Sequence, residues 1–296
     1  MKQYLVFAKR LLLLATPLVA TSALLTSPSQ AATFSSSQGI LDLTNFSESF
    51  STTESQNLGN VSAIANGGIV NAQNSHAVAN VIPDPLEVYT SATSLASGES
   101  KDYVGTAQAA AKIIGNFDVA PGQLFSFNFT SALDLETAID NPPSENANAS
   151  GKLSFFLLDT TGIPEKNLPD FLSGLLSDTT NSILKNPLDF FSLTGNLNTL
   201  GNDNFITSQE SQNVTLTEDK QFSFDGTQEF ATDFVEGSLQ RSFDRKTNLT
   251  LVAIRSTQTR VVAPEPSMNL ALVLFFGLLA VATKGRRKAA ADSLIR

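Results

Sequence analysis

The stretch Gly122–Leu133, GQLFSFNFTSAL, constrains this chain more than any other. Phe125, Phe127 and Phe129 fall on one side of an extended backbone and Ser126, Asn128 and Thr130 on the other. A period of two with bulky apolar residues on one side describes a strand half buried against a core, and a helix cannot satisfy it. The segment 152–159, KLSFFLLD, is almost continuously apolar, as a central strand covered on both faces would be.

The same reading extends along the chain. Residues 33–58 suggest one or two polar-faced strands, and 58–81 a small-residue hairpin turning at Gly67-Gly68, unless its Asn/Gln/Ala bias marks a connector. TAQAAAK before Ile113 reads as a short helix or the lead-in to a strand. NPPSENANASG, 141–151, reads as a loop, and DFFSLTG, 189–195, as a strand. Pro169 and Asp170 open a predicted helix over 169–185, with Leu172, Leu175, Leu176, Ile183 and Leu184 at helical spacing. Short strands follow at 205–208, 213–217, 221–226, 229–243 and 248–257, with turns at Asp225-Gly226 and Asp244–Thr247. Many strands and a single helix predict an all-β fold: an antiparallel β-sandwich or jelly-roll-like ectodomain with one inserted helix.

Both ends of the chain read as something other than this domain. Lys2, Lys9 and Arg10 precede an apolar stretch, Leu11 to Leu25, and small residues surround Ala31, so 1–31 is read as a signal peptide cleaved after Ala31. The body is then 32–263, with 32–100 as a looser N-terminal part. It holds 11 basic and 26 acidic residues, a net charge of −15, and such a surface repels phosphates. Nucleic acid is therefore excluded as a partner.

Chemistry-bearing residues are few. There is no cysteine, so thiol catalysis and disulfides are excluded. His76 is the only histidine, and no Gly-x-Ser-x-Gly elbow or phosphate-cradling glycine loop accompanies it. Carboxylates could pair across strands: Asp134 with Glu136, Glu218 with Asp219, and the group Asp225, Glu229, Asp233 and Glu236. No cofactor is expected; such pairs could at most serve a structural Ca²⁺, or a two-carboxylate glycosidase. A glycosidase usually also needs aromatic platforms, and the chain has no tryptophan. No catalytic residue is assigned. The expectation is a non-enzymatic protein, with a carbohydrate-binding or adhesive module, holding polysaccharide on loops 141–151 and 196–204, as its rival and a hydrolase third.

The C-terminus is more specific. Pro264-Glu265-Pro266 is followed by MNLALVLFFGLLAVAT, 268–283, which is free of charge, and then by Lys284, Arg286, Arg287 and Lys288. As a helix the run covers about 24 Å, short of the roughly 30 Å of a bilayer core. Basic side chains can reach the interface and hold their end in the cytoplasm, leaving the acidic body outside.

Motif, apolar helix and basic end, in that order behind an N-terminal signal, resemble the PEP-CTERM sorting signal of exported bacterial proteins. The body is similar to uncharacterised ectodomains that carry this signal, which assigns it no activity. The resemblance covers 264–288; residues 289–296 continue as a cytoplasmic tail where the family's chains usually stop. It implies export through the Sec machinery and signal peptidase, transient anchoring by the C-terminal helix, and cutting near the motif by an exosortase-type membrane protease. The protein would then pass to the cell surface or an exopolysaccharide matrix, in bacteria among which are cyanobacteria.

Overall fold

Long runs of alternating residues need partners on both sides, and the chain supplies them by pairing strands that are far apart in sequence. In the computed structural model the described residues are 32–84, 86–100, 102–177, 186–224 and 226–263. They form twelve strands: β1 (Ala32–Thr44), β2 (Thr52–Ala65), β3 (Ile69–Pro83), β4 (Leu86–Glu99), β5 (Tyr103–Val119), β6 (Leu124–Ala138), β7 (Asn146–Asp159), β8 (Asp189–Asn198), β9 (Phe205–Glu210), β10 (Val214–Ser223), β11 (Gln228–Ser242) and β12 (Thr247–Ala263). One helix, α1 (Leu168–Ser177), interrupts them. Two six-stranded antiparallel sheets result, ordered β10-β11-β6-β1-β4-β3 and β2-β5-β12-β7-β8-β9. The expected all-β fold with one inserted helix is therefore present among the described residues.

The alternating phenylalanines build the core. Phe125, Phe127 and Phe129 of the first sheet are buried with Phe155 and Phe191 of the second. Phe155 lies 5.1 Å from Phe127, 5.2 Å from Phe129 and 5.8 Å from Phe191, centroid to centroid, so rings from both sheets interlock. The near-continuous apolar character of β7 also has its reason. Leu153, Phe155 and Leu157 face this core, while Leu158 and Phe156 face outward beneath Leu172 and Leu175 of α1. Strand β7 is thus central and covered on both faces.

Elsewhere the structure corrects the sequence reading. TAQAAAK is strand throughout, within β5: Ala107, Ala109 and Ala111 are buried, and pairing with β2 and β12 overrides alanine's helical preference. The hairpin expected over 58–81 is not one. Its turn at Gly67-Gly68 exists, but β2 pairs with β5 and β3 with β4, so the chain crosses from one sheet to the other. The loop expected over 141–151 ends early, because β7 begins at Asn146. Strands expected at 213–217 and 221–226 merge into β10, and the helix is described to Ser177, with 178–185 outside the described residues. From the segment expected to be looser, β1 sits inside the first sheet between β4 and β6.

Candidate functional site

A groove of about 690 Å³ crosses the outer face of the second sheet. It follows from register. Asn60 of β2 is opposite Gln108 of β5, Gln108 opposite Gln258 of β12, and Gln258 opposite Ser150 of β7. Ser150 is in turn opposite Asn196 of β8, and Asn196 opposite Phe205 of β9. Directly opposed residues in antiparallel strands share a face, so these six side chains form one row across all six strands. At a strand spacing of about 4.8 Å the row is roughly 24 Å long.

A second row lies beside it, two residues along each strand: Leu58, Ala110, Ser256, Lys152 and Thr194. Beyond that row the face turns apolar and α1 covers it through Leu172 and Leu175. Lys112 stands at this boundary and donates from Nζ to the Leu175 carbonyl at 2.6 Å, capping the C-terminal end of the helix with a cation.

One end of the groove is braced by asparagines. Asn196 donates from Nδ2 to the Asp203 carboxylate at 3.2 Å, and its Oδ1 accepts from Asn148 Nδ2 at 3.3 Å. Asn198 donates to Asp203 Oδ1 at 3.3 Å, and the Asn198 backbone N–H donates to Asn204 Oδ1 at 2.7 Å. Asn204 donates to Glu229 Oε1 at 2.8 Å, which ties the 199–204 turn to the first sheet. Gln108 and Gln258, by contrast, are exposed. Phe205, 40% exposed, ends the row with an apolar ring. The groove therefore presents uncharged donors and acceptors, one ammonium (Lys152) and one carboxylate (Asp203).

The residues singled out in the sequence fall in several places. Ala31, Pro264, Glu265, Pro266, Lys284, Arg286, Arg287 and Lys288, with the signal peptide and the apolar span, lie outside the described residues. Among the described residues no helix is long and apolar enough to cross a membrane. His76 is in β3, and its side chain lies outside the described ones; so does Asp225. Asp134 and Glu136 share one face of β6. Burial raises both carboxyls above their ordinary values, and the Asp134 charge adds to the effect on Glu136. Glu229 and Asp233 are buried on the inner face of β11, whereas Glu236 is exposed on the other. Among the described residues no three carboxylates or histidines converge on a position for a metal ion.

Of the two segments read as polysaccharide-holding loops, 141–151 and 196–204, Ser150 and Gly151 line the groove from β7, Asn196 from β8, and only Asp203 from a loop. What the sequence reading missed is the row formed by Asn60, Gln108 and Gln258. Their signal was polar side chains at alternate positions of three strands distant in sequence, which means nothing until the register is known.

The most perturbed carboxylate belongs to a different feature. Lys220 Nζ lies 2.9 Å from Glu218 Oε1 and 3.4 Å from Asp233 Oδ2, and Ser208 of β9 donates to Glu218 at 2.7 Å. These side chains close the open side of the sandwich between β9 and β10. Burial pushes Asp233 up to about 7, helped by its hydrogen bond and negative charge from Glu218 and opposed by Lys220. Desolvation also acts upward on Glu218, but hydrogen bonds from Ser208 and Lys220 outweigh it and hold that carboxyl below its ordinary value. Inward-pointing charge at a sheet edge is a recognised guard against edge-to-edge pairing.

A carboxyl raised on folding contributes stability that is complete below its unfolded value, near 4, and lost as pH rises through about 7. Asp233→Asn is therefore expected to flatten the fall in thermal midpoint between pH 5 and pH 8. At pH 8 it should add about 1–2 kcal/mol, less than the full shift implies because Glu218 and Lys220 remain partly solvated. Thermal melts of both proteins across that range check this.

No protein-family model matches the chain, and neither does any curated protein or solved structure.

Proposed function

We propose that the chain is an exported, non-catalytic surface or matrix protein whose sandwich binds neutral polysaccharide along the row from Asn60 to Phe205. The observation that carries this reading is the row itself. Amides and hydroxyls repeat at the strand spacing, a distance comparable to the advance of one pyranose unit along an extended glycan. Sugar hydroxyls need both donors and acceptors, and each amide side chain offers both. Phe205 supplies an apolar face at one end. A phosphorylated or strongly anionic polymer would find one lysine in the groove and an acidic surface around it. Asp203 is the only carboxylate among the lining residues, and hydrolysis of a glycosidic bond uses two.

In the same reading the signal peptide and Pro264-Glu265-Pro266 segment deliver the domain to a compartment where exopolysaccharide is present. No cofactor is needed, and the alternative is a structural role with no glycan bound at all.

Affinity electrophoresis and calorimetry against neutral polysaccharides test the proposal. Gln108→Ala and Gln258→Ala remove exposed amides and should leave the melting temperature unchanged. Each is expected to weaken binding by about 3- to 10-fold, the value of one hydrogen bond, whether or not EDTA is present. Binding that vanishes in EDTA would replace this reading with a Ca²⁺-dependent one, and no binding to any neutral polysaccharide would leave the structural role.

A further inference from the structure

The two open sides of the sandwich are built differently. Where β9 and β10 end the sheets, β9 has only six residues and the inward charges Glu218, Lys220 and Asp233 fill the gap. On the other side β2 and β3 are edge strands of 14 and 15 residues. Strand β3 carries an irregularity between Ser75 and Val78, of the kind that spoils a pairing edge. No such device is present in β2. Its ladder to β5 is continuous from Thr52 to Ala65, it contains no proline or lysine, and Leu58 through Ala65 are exposed. Leu58 is 56% and Ile64 67% exposed, with Val61 between them.

Charge says what can meet this edge. From Thr52 to Pro83 the only ionisable side chains are Glu54 and His76, although the 32–263 body carries a net charge of −15. Two copies of so acidic a chain repel one another over most of their surfaces. At β2 they can approach with almost no carboxylates facing each other, and antiparallel pairing is self-complementary about a two-fold axis.

We propose that two copies of this chain pair through β2, edge to edge and antiparallel, joining their second sheets into one of twelve strands. The paired segment is at most about 43 Å long, one residue short of the whole strand, and long enough to be held by main-chain hydrogen bonds with Leu58, Val61 and Ile64 covered beside them. A two-fold axis normal to the sheet keeps both outer faces on the same side. The rows ending at Asn60 would then run on from one copy into the next. The pairing does not depend on the groove binding glycan.

Sedimentation of the full chain in density-matched detergent tests the pairing. The expected result is a concentration-dependent dimer that becomes a monomer in the double variant Val61→Lys, Ile64→Lys, with an unchanged thermal midpoint and undiminished polysaccharide binding per chain. The chain has no cysteine of its own, so single thiols report contact independently of any lysine effect. Among Leu58→Cys, Val61→Cys and Ile64→Cys at least one should give a disulfide-linked dimer on oxidation, and Thr217→Cys on β10 should give none. Each of the following overturns the proposal: a monomeric wild type, a dimer that persists in the double-lysine variant, equal cross-linking at Thr217→Cys, or adducts in producing cells with another protein in place of a second copy. Loss of glycan binding with the dimer intact would count against the groove alone.

Discussion

Phe155→Ala is expected to lower the stability of the domain by about 3–5 kcal/mol, the usual cost of removing a buried aromatic ring. Phe155 is fully buried on β7, within 6 Å of three other ring centroids, two of which belong to the facing sheet. Removing its ring takes away apolar burial and also opens a cavity between the sheets. Neighbouring strands pinned in long ladders on both sides cannot collapse into that space. For a body of this size the thermal midpoint should fall by about 6–20 °C. Phe222→Ala serves as the comparison: Phe222 is 56% exposed and stacks on Phe224, so the change should cost about 1 kcal/mol. Chemical denaturation of the two variants measures both values. Equal losses would mean that the interlocked phenylalanines are not the centre of the core.

Arg255→Met is expected to have the opposite sign. Arg255 lies on the inner face of β12, fully buried between the sheets. Its Nη2 donates to the Ala92 carbonyl, while Nε and Nη1 have no partner. Around it are Gly39, Ala92, Ala111 and Leu153, and none of these can compensate a charge. Burial pulls the guanidinium down to about 9, which is still high enough to keep it charged at neutral pH. A base depressed on folding regains stability only as pH rises above that value, so the full cost is present across the physiological range. Methionine fills a similar volume without the charge; replacing whole buried ion pairs by apolar residues stabilises by about 1–4 kcal/mol, and a gain of that order is expected for this single buried charge. Arg255→Ala removes the charge as well but leaves a cavity, and should gain less. Melting curves between pH 5 and pH 8 should show a gain for Arg255→Met that does not vary with pH.

These two residues show how unevenly the structure could be read from sequence. Phe155 was legible: alternation around it and the apolar run KLSFFLLD predict a covered central strand, and β7 is one. Arg255 sits in NLTLVAIRST, which reads as a strand, but nothing nearby says which face of it is buried. The mistaken hairpin over 58–81 has the same origin. Gly67-Gly68 does make a turn, but whether the next strand pairs with the last or crosses to the other sheet depends on partners dozens of residues away. The carboxylates paired from spacing fared unevenly for this reason too: Asp134 and Glu136 stay together on one face of β6, while Glu236 turns away from Glu229 and Asp233. Glu218 and Asp219 point to opposite faces, and Asp233 meets Lys220 only because β10 and β11 pair in one register.

The sequence by itself determined the all-β character, the phenylalanine core and the acidic, cysteine-free body. These depend on local periodicity and composition, which survive without knowing any partner. Tertiary structure alone decided the strand order, the groove and the contrast between a guarded and an unguarded edge. Hydrogen bonding between strands is non-local and nearly indifferent to side chains, so Asn60, Gln108, Gln258, Ser150, Asn196 and Phe205 become one surface only when five separate ladders set their registers together.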